Sequence, residues 1–266
     1  MAYSVSDLYF HPIKSLGAIQ TSRFDVDACG PQLDRRIMLV DPNGKFITQR
    51  QAPIMSLIKV ALNNRSLNLT FNDEAISLPV PDFKAKTNDV VVDVWGDKIT
   101  GQLISSNASQ WLSAILKKDV RLVYMDDTEH RQVDLDFAKP GVQTGFSDGF
   151  PFLIISQASI DFLSEKVGFE LLMTRFRPNI VVDGCEPFEE DSWKKIRIGE
   201  IDFDVVKPCS RCVIPTIDIK TGEKQKEVMQ AMLKYRKKEK NVFVGQNLIH
   251  NQLGALATGM TVEVLE

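Results

Sequence analysis

The chain has 266 residues, 44% of them hydrophobic, which is enough for one large domain or two closely packed ones. Its formal net charge of -3 excludes a global electrostatic attraction to nucleic acid or to an anionic lipid surface. Four cysteines are too few and too unevenly placed for the disulfide framework of a small secreted domain, so we expect reduced thiols.

Targeting and membrane signals are absent from the sequence. No segment reaches the roughly 18 uninterrupted apolar residues of a membrane helix, and the first residues lack a basic segment followed by an apolar one. We therefore expect a cytoplasmic protein with no membrane span and no nucleic-acid polymer as partner.

The first hundred residues alternate short apolar runs with turn signals, a pattern that predicts β-strands. Asp41–Gly44 and Asn72–Asp73 are predicted to be hairpin turns. The predicted strands read "YSVSDLYF", "IMLVD", "SLIKVAL", "SLNLTF", "AISLPV" and "VVVDVW".

Two helices and a long irregular segment follow. Apolar residues at helical spacing behind an Asn107 cap predict the first helix over 107–118, and the strand "VRLVYM" comes next. Residues 126–149 are polar and lack periodicity, which is typical of a functional loop, and we place the domain junction there. The second helix is predicted to begin at Ser156 and to close at Gly168.

Strands dominate the remainder, interrupted by a charged helix over 223–240. The predicted strands read "NIVVDG", "KIRIGEIDFDVV", "CVIPTIDI", "NVFVGQNLIH" and "MTVEVLE". Many short strands, few helices and no regular βαβ alternation favour two β-rich units, built as barrels or sandwiches with attached helices.

Cys209 and Cys212 form the one closely spaced cysteine pair. A thioredoxin-type pair needs a helix N-terminus, but strand-like residues follow Cys212. A closed zinc site needs four ligands, and the other cysteines and histidines are scattered. Two interpretations stay open: the thiols are buried small hydrophobes, or Arg211 favours a thiolate that binds a soft metal.

The segment 207–222, "KPCSRCVIPTIDIKTG", resembles the signature of the MOSC domain, in the branch of the mitochondrial amidoxime-reducing component and related bacterial reductases. The resemblance implies an α+β, predominantly β fold, with an N-terminal β-rich domain over 1–124 packed on a MOSC β-barrel over 125–266. Further segments agree in order and spacing across nearly the whole chain: "YFHPIKSLGA", "LDRRIMLVDPNGKFITQRQAP", "FSDGFPFLIISQAS", "RFRPNIVVDGCEPFEEDSWKKIRIGEIDF" and "VGQNL".

The same resemblance implies a molybdenum cofactor, in which molybdopterin supplies a dithiolene and a phosphate. Cys212 matches the cysteine that binds the metal, and Cys209 is a neighbour without an assigned role. Asp148 is a candidate either for proton handling or for a hydrogen bond to the pterin. The residues that match phosphate-end contacts are Lys14, Ser15 and Arg35, and those that match groups around the pterin or metal are Ser147, Asp148, Arg177, Asn179 and Arg211; Arg50 lies in a matching segment as well.

Each of these residues also has an ordinary structural interpretation. Lys14 and Arg35 could be solvated charges at strand ends. Arg177 could pair with an acid such as Asp183, and Asp148 could be a turn residue in a glycine-containing loop.

The activity that the resemblance implies is that of a molybdenum-dependent oxidoreductase. Its small-molecule substrates would be N-hydroxylated compounds such as hydroxylaminopurines, amidoximes or hydroxylamines. No cysteines are spare for an iron–sulfur domain, so we expect electrons from a separate donor protein of flavin, haem or iron–sulfur type. Two alternatives stay open: a carrier of molybdenum cofactor or of sulfur on Cys212, and an interaction domain without metal.

Overall fold

The computed structural model describes residues 2–266 and consists mainly of strands. The helices of this range are α1 (Ser106–Leu116), α2 (Gln157–Val167) and α3 (Lys226–Arg236), none of which has both the length and the apolar character of a membrane-spanning segment. The predicted α+β, predominantly β class is confirmed. The strands are β1 (Tyr3–Phe10), β2 (Ile19–Thr21), β3 (Arg23–Asp27), β4 (Gly30–Pro31), β5 (Ile37–Val40), β6 (Lys59–Asn63), β7 (Ser66–Phe71), β8 (Glu74–Pro79), β9 (Asp89–Val94), β10 (Asp97–Ile104), β11 (Arg121–Tyr124), β12 (Phe152–Ser156), β13 (Ile180–Asp183), β14 (Lys195–Ile198), β15 (Ile201–Ser210), β16 (Lys237–Lys238), β17 (Asn241–His250), β18 (Gly254–Ala257) and β19 (Thr261–Val264).

A closed barrel forms in the order β12-β13-β1-β19-β14-β15-β17, because β17 pairs again with β12. Its interior is an apolar cluster that includes Phe152, Ile196 and Phe203. The first strand of the chain lies between β13 and β19, so both ends of the chain contribute to the barrel. The division into 1–124 and 125–266 stays a prediction.

Three smaller sheets complete the fold, in the orders β5-β11-β10-β9, β6-β7-β8 and β18-β3-β4. Helix α1 contributes Ala108 and Leu112 to an apolar cluster shared with β5, β7 and β11. Helices α2 and α3 contribute to a separate cluster that includes Ile160, Leu163 and Met232. The helices therefore cover sheet faces and leave the strand ends free for side chains with other roles.

The predicted helices near residues 107 and 156 are confirmed, with one correction at a cap. Helix α1 begins at Ser106, and its cap is the Ser105 hydroxyl, which accepts a hydrogen bond from the Ala108 N–H, rather than Asn107. Ser156 caps α2 as expected. The predicted helix over 223–240 is shorter than expected, since a hairpin of β16 and β17 follows Arg236.

The predicted strand "CVIPTIDI" is wrong. Strand β15 ends at Ser210, and Ile214–Thr216 forms a 3-10 helix. Pro215 has no N–H for a strand ladder, whereas its fixed φ suits the first turn of a helix. The Thr216 hydroxyl closes the turn on the Val213 carbonyl at 2.7 Å. Cys212 consequently lies in a tight turn after a strand.

Closure of the barrel depends on a close approach at Gly245 of β17, whose φ is 77°. A Cβ at this position would lie 2.7 Å from the Ile154 backbone oxygen on β12. We expect Gly245→Ala to lower the free energy of unfolding by roughly 2–4 kcal/mol, measured by urea denaturation. Gly259→Ala is the matched control, since its φ is 83° and its added Cβ would meet open space. Equal losses in both variants would contradict the steric explanation.

Candidate functional site

A cavity of about 250 Å³ opens where several strands end beside one another. Seven segments reach it: the turn after β1, the turn before β5, the loop after Phe46, the loop into β12, the turn before β13, the end of β15 with the turn that follows, and β17. The structure brings together all of the residues with a predicted cofactor or metal role, and their roles stay predictions: Lys14, Ser15, Arg35, Ser147, Asp148, Arg177, Asn179, Arg211 and Cys212. Arg50 and Cys209 line the cavity as well.

Three of these residues have left-handed backbone conformations, which non-glycine residues rarely adopt. The φ angles are 67° at Ser15, 49° at Arg35 and 57° at Arg177. Each costs roughly 1–2 kcal/mol relative to ordinary backbone. The Arg35 N–H donates to the His11 carbonyl at 2.7 Å, and this bond holds the two turns together. Such clustered strain is typical of functional sites.

Arg35 is oriented by a buried carboxylate. Asp34 Oδ2 accepts from Arg35 Nη1, while Asp34 Oδ1 accepts from the His11 N–H at 2.7 Å and lies 3.3 Å from His11 Nδ1. Burial alone would raise the pKa of Asp34, but the charge of Arg35 and the hydrogen bond with His11 outweigh burial and lower it to about 2. Burial and two arginines lower the pKa of His11 to about 3, so its imidazole is neutral. Arg35 is therefore held in a fixed position in the cavity wall.

Arg177 and Arg211 are held by backbone carbonyls. Arg177 Nη1 donates to the Leu16 oxygen at 2.7 Å, and Arg211 donates from Nε and Nη1 to the oxygens of Val244 and Phe176, both at 2.8 Å. The Nη2 atoms of both arginines are buried and have no hydrogen-bond partner within residues 2–266. Burial and the charge of Arg35 lower the pKa of Arg177 to about 9.

These unpartnered donors fit an anionic cofactor that is rich in acceptor atoms, since buried donors need acceptors and charge-assisted hydrogen bonds are the strong ones. The ion pair considered for Arg177 and Asp183 does not occur among the described residues. Nor is Arg35 a solvated strand-end charge, because only 12% of its side chain is exposed.

Lys14 and Asp148 form an ion pair at the cavity. Lys14 Nζ lies 2.6 Å from Asp148 Oδ1 and donates to the Phe146 carbonyl, also at 2.6 Å. Burial lowers the pKa of Lys14 to about 8. Removal of water alone would raise the pKa of Asp148, but Lys14 outweighs that effect and lowers it. Asp148 is thus an ionised acceptor, and its carboxylate also accepts from Trp95 Nε1 at 3.2 Å.

The two cysteines of the motif have different surroundings. Cys212 Sγ accepts from the Ile214 N–H at 3.5 Å and lies 3.9 Å from Arg50 Nη1. Cys209 packs against the apolar cluster under α2 and α3, and burial raises its pKa. The cation that contacts the Cys212 sulfur is therefore Arg50, whereas the sequence had suggested Arg211.

Residues 2–266 contain no cluster of three or more His, Cys, Asp or Glu side chains that could hold a metal. The protein can still offer a single sulfur ligand from Cys212. A metal bound here would need its remaining ligands from a cofactor, and a dithiolene is a donor set of that kind.

Ser147 and Asn179 are both buried and hydrogen-bonded to protein. The Ser147 hydroxyl bonds the Thr144 hydroxyl at 2.7 Å and the Phe150 carbonyl at 2.8 Å. Asn179 Oδ1 accepts from the Leu153 N–H at 3.2 Å and lies 3.4 Å from Arg35 Nη1. Both side chains therefore shape the wall and hold other groups in place.

Sequence reasoning missed several residues of the site. Arg131 Nη1 donates to the carbonyls of Gly145 and Ser147 at 3.0 and 2.6 Å, and so braces the loop that carries Asp148. It lies in the irregular segment over 126–149, where no motif indicates which groups its side chain contacts. Lys207, which lines the cavity, and Trp95, which contacts Asp148 and Arg50, were missed because only the fold brings them to these positions.

Comparison with known proteins agrees with this architecture. The model of the MOSC N-terminal beta barrel domain matches residues 2–119, and the MOSC domain model matches residues 142–263. Mitochondrial amidoxime-reducing component 1 of Homo sapiens is 30% identical, over 98% of this chain and 83% of its own length. The chain belongs to the MOSC-domain family.

Other members of the family are similarly close. Mitochondrial amidoxime-reducing component 1 of Mus musculus is 31% identical, over 98% of this chain and 80% of the relative. Molybdenum cofactor sulfurase of Homo sapiens is 30% identical over 94% of this chain, but the match covers only 30% of that longer protein. The resemblance found in the sequence motifs is confirmed.

The lowered pKa of the buried Asp34 predicts how the free energy of unfolding depends on pH. Its pKa is lower in the folded protein than in the unfolded chain, so its stabilising contribution is complete above about pH 4 and is lost as the pH falls toward 2. We expect Asp34→Asn to cost on the order of 2 kcal/mol at pH 7 and progressively less below pH 4, measured by urea denaturation. Asp25→Asn, at an exposed surface pair, is the control and should change little. A cost that stays constant from pH 7 to pH 2 would refute the ion-pair account.

Proposed function

We propose that this chain is a molybdenum-cofactor-dependent reductase of N-hydroxylated compounds that takes its electrons from a separate donor protein. Membership of the MOSC-domain family and similarity to amidoxime-reducing components support a function related to the molybdenum cofactor. The observation that carries the proposal is that Cys212, Arg177 and Arg211 line one cavity, while each of the two arginines has an Nη2 atom without a hydrogen-bond partner within residues 2–266.

In this proposal the phosphate end of the cofactor contacts Lys14, Ser15 and Arg35. The pterin and metal end is bordered by Arg177 and Arg211, and by the remaining residues Ser147, Asp148, Asn179 and Cys212. When bound, the cofactor supplies the two-electron redox chemistry that protein side chains lack. The protein supplies the sulfur ligand, positive charge and a shaped wall.

The reaction breaks the N–O bond of the substrate and consumes two electrons and two protons, giving an N–H compound and water. Asp148 is ionised near neutral pH, so it serves as a hydrogen-bond acceptor, and we assign it no proton to donate. Burial lowers the pKa of Lys14 to about 8, and the Lys14 ammonium holds the Asp148 carboxylate in place through their ion pair. The donor protein replaces the electrons after each turnover.

The main alternative is a carrier of molybdenum cofactor or of sulfur, with Cys212 as the carrier group. Similarity to part of a molybdenum cofactor sulfurase favours this candidate. An activity assay on protein produced in a host that makes the cofactor distinguishes the reductase from the carrier. We expect molybdenum-loaded protein to reduce an N-hydroxylated base with an artificial reductant, and no turnover would reject the reductase assignment.

The cysteine pair offers a matched test of the metal ligand. Cys212→Ser removes a soft thiolate at nearly constant size, and we expect turnover to fall to background. Cys209→Ser changes a sulfur that packs against the apolar cluster, so at least partial turnover should remain. Turnover is measured per mole of folded protein, and equal loss in both variants would leave the choice of Cys212 unsupported.

Arg35 offers a test of the phosphate end. Loss of a charge-assisted hydrogen bond to phosphate should weaken cofactor retention by about 10- to 100-fold. We therefore expect Arg35→Ala to lower the pterin content per mole of folded protein, measured after oxidation to a fluorescent pterin. Arg23→Ala, which removes an exposed arginine on β3, is the control. Full pterin and metal content in Arg35→Ala would remove its assigned role.

A further inference from the structure

Arg50 differs from the other arginines of the cavity in what its guanidinium contacts. The others each donate to at least one protein oxygen: Arg35, Arg175, Arg177 and Arg211. Within residues 2–266 the Arg50 guanidinium donates to no protein oxygen and forms no ion pair. Its contacts are the Cys212 sulfur, 3.9 Å from Nη1, and the ring of Trp95, 4.4 Å from Cζ.

Trp95 holds the Arg50 guanidinium in a defined place. Trp95 lies in the turn between β9 and β10, and its indole donates to Asp148 Oδ1 at 3.2 Å. Its ring lies 5.1 Å from the ring of Phe46. A guanidinium stacked on an aromatic face keeps the N–H groups of its edge free for hydrogen bonds in its own plane. Arg50 is thus anchored without its donors being consumed.

The free donors of Arg50 lie beside the sulfur that we assign as metal ligand, whereas each of the other arginines is held by at least one hydrogen bond to a protein oxygen. Fixed arginines suit a cofactor that stays bound. A half-buried arginine with open donors suits a ligand that exchanges in every turnover, and a planar fork of N–H groups matches an oxygen acceptor.

We propose that Arg50 is a catalytic residue that donates hydrogen bonds to the nitrogen-bound oxygen of the substrate, and that Trp95 is its positioning residue. The identity of the substrate rests on the proposed function. The guanidinium of Arg50 would stabilise the negative charge that develops on oxygen as the N–O bond breaks, through hydrogen bonds from its planar N–H groups. The two protons that complete water come from other groups or solvent, and the two electrons come from the donor protein.

This role predicts a difference in affinity between two kinds of base. Arg50 should favour a base with an N-hydroxyl group over the same base with an amino group, because only the first has the oxygen that accepts its hydrogen bond. The pair 6-N-hydroxylaminopurine and adenine differs by that oxygen alone, and both are neutral at pH 7. Comparison of the two therefore separates a hydrogen bond to oxygen from general electrostatic attraction.

The test measures dissociation constants of both purines by calorimetry on oxidised, molybdenum-loaded protein without reductant. We expect Arg50→Met to weaken binding of 6-N-hydroxylaminopurine by about 10- to 100-fold, the range for a charge-assisted hydrogen bond. Adenine binding should change by less than about threefold. Molybdenum and pterin content per mole of folded protein should equal that of wild type. Arg23→Met is the control, since Arg23 is exposed on β3 outside the cavity.

Two further variants test the stacking. Arg50→Lys keeps the charge but loses the planar fork, so it should recover only part of the discrimination between the purines. Trp95→Leu removes both the ring face and the indole N–H, and it should lower discrimination and kcat/KM together. Trp95→Phe keeps a ring face and should rescue much of the loss.

Three results would overturn the role of Arg50: wild type that binds both purines equally, Arg50→Met that weakens both equally, or Arg50→Met that loses the cofactor. Failure of the proposed function has a different signature. Wild type without turnover, together with an oxygen-dependent affinity that Arg50→Met abolishes, would reject the reductase assignment and support Arg50 as the group that binds oxygen.

Discussion

The site depends on a cluster of positively charged side chains around a cavity that few carboxylates line. Arg177 and Arg211 form no ion pair with an acid within residues 2–266 and rely on the backbone carbonyls of Leu16, Phe176 and Val244. Carbonyl dipoles satisfy some of their N–H groups but leave net charge behind, and buried charge without a partner is costly. The lowered pKa of Arg177 reflects that cost. An anionic ligand would remove it, so the arrangement is built for binding.

Several of the side chains that line this cavity lie in turns at the ends of strands and not within the strands. Turns after β1 and before β5 and β13 place Ser15, Arg35 and Arg177 in left-handed conformations. The carbonyls that hold these arginines, such as those of Leu16 and Arg177, lie in the same turns. In the interior of a strand such carbonyls would pair with the neighbouring strand. Regular β-structure therefore supplies rigidity, and the strained turns between strands supply the chemistry.

Sequence reasoning succeeded where a residue's role follows from a local motif, and it failed where the role follows from tertiary placement. Apolar alternation identified β1 and β7, and motif matching placed Lys14, Arg177 and Cys212 at one cavity. The run around Pro215 looked like a strand because β-branched residues outnumber the one residue that breaks the ladder. Arg50 and Trp95 meet because the β9–β10 hairpin lies beside the segment that contains Lys45 and Phe46, which no local pattern encodes.

The central claim is that the Cys212 sulfur joins a cofactor dithiolene at molybdenum inside this cationic cavity. X-ray absorption at the molybdenum edge counts sulfur neighbours directly, independently of turnover. The account predicts one more sulfur neighbour in wild type than in Cys212→Ser, with the same count in wild type and Cys209→Ser. An unchanged sulfur count in Cys212→Ser that has retained its molybdenum would contradict it.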